Sequence, residues 1–517
     1  MVAADKSGQY KDLIFSRQFL LGSKPFIYTD RWRVVQLAKG LVLSVHPQLE
    51  LEIKKSGTET LALLGYLIDP FQPTATSADI LEIIVKKTTS IHELLESTVH
   101  LSGRWALIYV GAKDSIIFTD PCGLRQVYYY VNNDGIWCGS QPEIIKAAAA
   151  GLKPNTDKAL LAFMKSFDYQ RKEFALVGNK TIYANCYHLL PNHFLDLNLA
   201  SPIRFFPKKN LAPISTNQAV EMVSSLLQGG MRAIAQRYPV MLAVTAGWDT
   251  RVLLAATKGI TDCFKYYVDR KGILPFNHPD VQIPLRLCRR LGINFEVRNS
   301  AEEPPSWFKE IISQSVSGAR TLPKTRMIYS TFAQGTNSIV VNGNGSEVCR
   351  NSYDYFGLIS SEDLTIAQLT GLIGYYKNKY VENELAKWKN ELESNGQFGY
   401  HILDLLYWEQ GMGNWGAQFV AEQDIATEDF SPFNNRLIYK TLLSLPRKYR
   451  SGPRFPIYAQ LIEKMWPETL SEPINPKNFI SSYLHFYFYR LPIPVWARLK
   501  LFRFVVKKFL NKIIKKL

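Results

Sequence analysis

The chain has 517 residues, 46% hydrophobic and 13% aromatic, which excludes a disordered polypeptide and favours roughly two to four folded units over one core. Its net charge of +16 would ordinarily raise nucleic acid as a partner, but eight basic residues lie between Arg498 and Leu517 with no acid among them, so the excess is largely local and no nucleic acid is expected. The six cysteines form no C-x-x-C pair and the eight histidines show no metal-ligand spacing, which argues against a disulfide framework or a zinc site and for buried free thiols.

The first residues, Met1-Val-Ala-Ala-Asp-Lys-Ser-Gly8, have neither the apolar core of a signal peptide nor a spanning segment, so a cytoplasmic location is expected. From about residue 10 to 205 short alternating runs such as Trp105 to Val110, Ser115 to Phe118 and Val127 to Val131 predict β-strands with a few helices between. His188 and His193 sit in an apolar, Pro-containing strand connection and are expected to be structural. After Phe206-Pro-Lys-Lys-Asn210 comes a polar linker. The pattern then becomes helix 217–237, strand 239–244, helix 249–258, strand 264–268, helix 281–291 and strand 293–298. That alternation predicts a parallel sheet with helices on both faces, whose ligands collect at the C-terminal ends of the strands.

One such end is the Thr245-Ala-Gly-Trp-Asp-Thr250 turn, between the apolar strand Met241 to Val244 and a helix opening near Val252. Backbone N–H groups and hydroxyls converge there, as a phosphate site requires. An ordinary turn with Asp249 as a helix cap is the competing reading. A second apolar strand, Ser338 to Asn342, leads into Gly343-Asn-Gly-Ser-Glu347 and repeats the logic.

Thr245, Ala246, Gly247, Asp249 and Thr250 resemble the S-G-G-x-D-S pyrophosphate loop of the asparagine synthetase family, whose members cleave ATP between the α and β phosphates. Gly343, Asn344, Gly345, Ser346, Glu347 and Tyr353 fall in register with that family's G-E-G-A-D-E-L-F-G-G-Y segment, Asn344 standing at a glutamate position and Val348 at the next acid. Glu428 to Leu437 resembles E-x-R-x-P-F-L-D-x-x-L, with Phe430 and Asn435 replacing the arginine and aspartate. Asn475-Pro-Lys-Asn-Phe479 resembles R-x-K-x-x-F, which makes Lys477 the candidate catalytic lysine. Upstream, Leu101 to Ala106, Asp120 to Tyr129 and Ser140 to Glu143 resemble, in order, the glutamine amidotransferase domain of the same family.

The resemblance implies an α/β and α+β chain of three regions. Residues 1–207 would form a degenerate, Ntn-type amidotransferase-like β-sandwich domain. Residues 214–480 would form a parallel-sheet, adenine-nucleotide (PP-loop) synthetase domain with a helical C-terminal part, and residues 481–517 a basic amphipathic tail. Glutamine-hydrolysing members start the mature chain with a cysteine, whereas residue 2 here is Val2 and the first cysteine is Cys122, so the implied fold comes without glutaminase activity, as in the β-lactam synthetase and lasso-peptide cyclase branches. The implied function is an ATP-dependent ligase forming an amide through an acyl-adenylate. ATP would be held by Thr245, Ala246, Gly247, Asp249, Thr250, Gly343, Asn344 and Gly345, with Mg2+ on Asp249 and Glu347 and Lys477 on the oxyanion. The substrates implied are a small-molecule or lipid-linked carboxylate other than aspartate, and an amine donor. Ala246, Asn344, Val348, Phe430 and Asn435 motivate the alternative, a catalytically degenerate nucleotide-binding or scaffold protein at the membrane surface.

In the tail, Leu499, Phe502, Val506, Phe509, Ile513 and Leu517 recur at helical spacing opposite a largely basic face, blurred by Phe504 and Leu510. Residues 496–517 are therefore expected either to lie peripherally on an anionic inner membrane surface or to pack back on the protein. No apolar run is long enough to cross a bilayer.

Overall fold

The computed structural model describes residues 10–318, 324–335, 337–361, 364–375 and 377–476. Up to Arg204, the described residues form two six-stranded antiparallel sheets. One runs in the order Cys186–His188, Tyr128–Asn132, Gly135–Gly139, Phe19–Gly22, Val42–Val45 and Arg33–Gln36. The other runs Ser201–Arg204, His193–Asp196, Ser115–Thr119, Ser102–Val110, Glu59–Ile68 and Leu51–Ser56. Strand alternation sorts the side chains into layers. Phe19, Leu21, Val45, Ala62, Leu64, Ile108 and Tyr129 fill the space between the sheets. On the next positions Leu61, Leu63 and Leu67 turn outward against helices Ser77–Lys87 and Ile91–Ser97. Leu20, Tyr128 and Trp137 turn outward on the other sheet toward helix Pro142–Ala148. The result is a helix–sheet–sheet–helix sandwich.

Beyond the linker, helix Thr216–Arg237 starts with a capping box between Ser215 and Gln218. A five-stranded parallel sheet follows in the order Phe295–Arg298, Phe264–Asp269, Val240–Ala243, Ile339–Val341, Asp429–Phe430. Val240, Leu242, Tyr266 and Val341 face a core shared with helices Thr216–Arg237, Trp248–Ala256 and Pro456–Met465. On the opposite face Met241, Tyr267 and Val340 form a small cluster, with the Arg298 guanidinium 4.7 Å from the Tyr267 ring centre. The large core also contains Tyr66, Ile68, Cys122, Leu124 and Phe163, so sandwich and parallel sheet are packed as one body.

Buried ions cross that junction. Arg104 makes a two-pronged contact with Asp424 and reaches Glu428 at 2.6 Å, while Arg125 donates to Glu428 at 2.8 Å. Burial would raise the Glu428 carboxyl, but Arg104 and Arg125 hold it below the usual range. Arg204 pairs with Glu409, and both side chains are fully enclosed. Asp120, also enclosed, accepts from the Leu124 and Arg125 N–H groups and from Asn434.

Most predicted histidine and cysteine roles are structural as expected. The His188 ring stacks on Tyr128 at 4.6 Å, and His193 bonds the Pro191 carbonyl and faces Glu391. Five cysteines are buried free thiols; Cys263 is exposed, a correction to the expectation for all six. Among the described residues no helix is long and apolar enough to cross a membrane.

Candidate active site at two adjacent strand ends

The strands Val240–Ala243 and Ile339–Val341 are neighbours in the sheet, so the turns leaving them meet at one edge. In the first turn the hydroxyls of Thr245 and Thr250 lie 3.2 Å apart. The Thr245 N–H donates to Thr250 Oγ1 at 3.1 Å, and the Gly247 N–H donates to Thr245 Oγ1 at 3.2 Å. Gly247 is the N-cap of helix Trp248–Ala256, which places Asp249 in its first turn. The Ala246 N–H donates to Asp280 Oδ1 at 3.2 Å, and the Ala246 carbonyl accepts from the Asn475 N–H at 2.8 Å.

The second turn is pressed against the first. A Cβ on Gly343 would lie 2.7 Å from the Cβ of Asp249, so only glycine permits this approach. Gly345 has φ +85°, and a Cβ there would sit 2.3 Å from Tyr439 Oη. It opens the short 3-10 turn Ser346–Cys349, which carries Glu347. Ser346 Oγ donates to Asp249 Oδ1, and Tyr458 Oη donates to the Ser346 carbonyl at 2.8 Å.

Asp249 and Glu347 thus face the same point, where the structure places Arg350. Its Nη2 is 3.0 Å from Asp249 Oδ2 and 3.4 Å from Glu347 Oε1. Phe455 and Tyr458 flank the guanidinium, with ring centres at 5.5 and 5.9 Å. Burial would lower the Arg350 pKa, but the two carboxylates together raise it. Burial and then the Asp249 charge push the Glu347 carboxyl up to about 7. Glu347 Oε2 is sealed from solvent and has no hydrogen-bond partner, and the same holds for Asn344 Nδ2.

The sequence candidates Thr245, Ala246, Gly247, Asp249, Thr250, Gly343, Asn344, Gly345 and Glu347 therefore converge at one edge of the sheet. Lys477 lies outside the described residues, as does the tail of residues 481–517; Asn475 is the part of that motif that touches the first turn. Three residues that depart from the motifs the sequence resembles have structural work. Val348 and Phe430 are fully buried in the core. Asn435 caps helix Arg436–Leu443 and donates to the His100 carbonyl at 2.6 Å. Sequence reading missed Arg350 and Asp280, and named Ser346 in the second turn without its bond to Asp249. Arg350 carried one usable signal, its three-residue spacing from Glu347.

Magnesium takes hard oxygen ligands and is commonly held by one or two carboxylates together with substrate phosphates. Asp249 and Glu347, with an unpartnered Oε2 on the latter, fit that requirement once Arg350 turns aside. Among the described residues no group of three or more His, Cys, Asp or Glu side chains is placed to hold a metal without such help.

No family model matches this sequence, and no curated protein matches it. Solved structures similar to the chain include a glutamine phosphoribosylpyrophosphate amidotransferase from B. subtilis complexed with ADP and GMP, at 10% identity over 66% of this chain and 73% of that chain, with TM-score 0.23. A structure described as the allosteric regulatory enzyme of purine biosynthesis matches at 11% identity over 72% and 75%, with TM-score 0.24. A glutamine-dependent NAD+ synthetase from Acinetobacter baumannii in complex with ADP matches at 13% identity over 57% and 66%, with TM-score 0.18. At these values the likeness has no bearing on the site, which is read from its own residues.

Proposed function

We propose that this chain is an asparagine synthetase-like, ATP-dependent ligase that forms an amide through an acyl-adenylate and releases AMP and pyrophosphate. The observation that carries the reading is the convergence of two acids, Asp249 and Glu347, from adjacent parallel strand ends beside a hydroxyl-rich turn at a helix N-terminus. Phosphate oxygens of ATP would replace the Thr245–Thr250 contact and the Asp280 contact to the Ala246 N–H, so the donors that now close the loop on itself would turn to the nucleotide. Asp249 and Glu347 would hold magnesium, which when bound neutralises charge on the leaving pyrophosphate. A substrate carboxylate oxygen bonds to the α-phosphorus as its bond to the pyrophosphate oxygen breaks. A nitrogen nucleophile then attacks the acyl carbon and loses a proton, and AMP leaves with the oxygen that bridged the acyl carbon and the phosphorus. Lys477 is the residue we assign to the oxyanion in that second step.

The nitrogen is proposed to come from free ammonia, another protein or an amine substrate. Among the described residues the earliest cysteine, Cys122, is a poor nucleophile, since its buried thiol is pushed well above the normal range and contacts Tyr439 Oη at 3.0 Å. A catalytically inert nucleotide-binding scaffold is the second reading. It is favoured by Arg350, whose guanidinium already neutralises both acids.

Magnesium-dependent binding of an ATP analogue with a methylene bridge between the α and β phosphorus, measured on the wild type and Asp249→Ala, tests the site. Binding lost in the variant supports it; no binding to either protein removes the ligase reading. The peripheral membrane proposal for residues 496–517 is tested separately by their deletion, with unchanged partition onto anionic vesicles sinking it.

A further inference from the structure

The wall of the second turn continues into a cavity. The 3-10 turn bearing Glu347 packs against Tyr407–Gly416, a π-helical segment whose wide turns place Tyr407, Gln410, Gly411 and Trp415 along one side of a cavity of about 310 Å³. Tyr353, six residues after Glu347, packs edge-on to Tyr407 with ring centres 5.2 Å apart. Tyr375 forms another part of the lining, its ring held by Phe163 at 5.7 Å and approached by Lys172 and Arg171 at 5.4 and 5.8 Å. The two cations also donate to the carbonyls of Ile373 and Gly374, which fixes the rim. Within this aromatic lining Gln410 is held by its oxygen, which accepts from the Gly178 N–H at 2.8 Å and from Asn414 at 3.3 Å. Its Nε2 is buried and has no partner, in a residue only 6% exposed.

We propose that this cavity binds the body of the carboxylate substrate, and that the substrate is an aromatic carboxylic acid. The inference rests on the ligase reading above and adds to it a substrate class. A volume of this order suits a small ligand. Four aromatic side chains favour a flat body that stacks, while the charged members of the lining, Arg171, Lys172 and Glu173, are engaged by the Gly374 carbonyl, the Ile373 carbonyl and Trp415 Nε1, and aspartate would bring charge with no ring to stack. Gln410 Nε2 supplies one donor for an acceptor on the ring or linker of the substrate. The carboxylate end is directed toward Tyr407 and the Glu347 turn, where the α-phosphate of ATP would lie.

The test measures quenching of tryptophan fluorescence by benzoate, phenylacetate and cinnamate, each in the presence of magnesium and the methylene-bridged ATP analogue, together with ATP–pyrophosphate exchange driven by the same acids and by aspartate. Leu176 also lines the cavity, so Leu176→Trp fills it, and Gln410→Met removes the donor at similar volume, together with the acceptor of the Gly178 N–H. The expected result is exchange with at least one aromatic acid and less with aspartate. Aromatic-acid affinity should fall at least tenfold in Leu176→Trp and about tenfold in Gln410→Met, while both variants bind the ATP analogue as the wild type does. Normal ATP-analogue binding without aromatic-acid binding, or aromatic-acid binding unchanged in both variants, overturns the cavity proposal and leaves the ligase reading standing. Failure of ATP-analogue binding in the wild type is the separate result that removes the ligase reading.

Discussion

Substituting Gly343 by alanine tests whether the two turns must touch. The added Cβ would sit 2.7 Å from the Cβ of Asp249, while ordinary carbon contacts begin near 3.4 Å, so the turns must separate by about 0.7 Å or rotate. The obstructing atom is fixed to the backbone and cannot swing away as the end of a long side chain would. Overpacking of this kind costs about 1–3 kcal/mol, and a misplacement of order 1 Å at a reacting centre can cost about a hundredfold in rate. Asp249 and Glu347 now meet one guanidinium at 3.0 and 3.4 Å, so the added separation falls directly on the pair proposed to share magnesium. Gly343→Ala is expected to weaken magnesium-dependent binding of the ATP analogue by about tenfold to a hundredfold, read by titration calorimetry. Gly230→Ala is the matched control. It lies within helix Thr216–Arg237, its Cβ would meet Phe430 at an unstrained 3.7 Å, and alanine there should be neutral or raise stability by about 0.5–1 kcal/mol. Wild-type affinity in Gly343→Ala would refute the claim that the close approach of the two turns builds the site.

Three further outcomes follow from the buried groups. Glu347 carries a pKa near 7 in the folded chain against 4.5 for the free side chain, so the folded state holds the extra proton between those values and stability falls as pH rises through that window. In urea titrations Glu347→Gln should gain stability over the wild type between about pH 5 and 7 and keep a constant advantage above; a gap independent of pH counts against the assignment. Glu409→Gln should cost about 1–3 kcal/mol by removing the enclosed one of the two carboxylates on Arg204, Glu391 remaining at 2.6 Å, with partial recovery in Arg204→Met, Glu409→Leu, both read from thermal midpoints. Phe430→Arg, which puts in the arginine of the motif this segment resembles, should place an unpaired charge in the core and lower the melting temperature far more than Phe430→Leu does.

Local pattern made much of the fold legible. The uninterrupted apolar run predicted a strand over 239–244 and the strand is Val240–Ala243; the 217–237 helix is Thr216–Arg237, because Ser215 and Gln218 cap it in sequence. The acids and small residues of both turns were legible for the same reason, since each turn is contiguous. Partners brought from a distance were not. Asp280 comes from 34 residues beyond Ala246, and Ser346 reaches Asp249 across 97 positions. The departures Phe430 and Asn435 suggested lost chemistry in the sequence, whereas burial and capping show what each side chain does in the fold. The wide π-helical turn at Tyr407–Gly416 has no simple periodic signature, so the cavity beside it was invisible in the sequence.

The charges crossing the junction have a consequence for how this chain can be divided. Arg104 and Arg125 come from the antiparallel sandwich, and Asp424 and Glu428 from the segment leading into the last parallel strand. Expressed alone, the C-terminal half would keep two interior anions stripped of their counter-ions, immediately beside strand Asp429–Phe430, which pairs with Ile339–Val341. The sandwich therefore serves as a chassis whether or not it catalyses anything. Cutting the sandwich away would disturb strand Asp429–Phe430 and, through its pairing with Ile339–Val341, the edge where Asp249 and Glu347 meet.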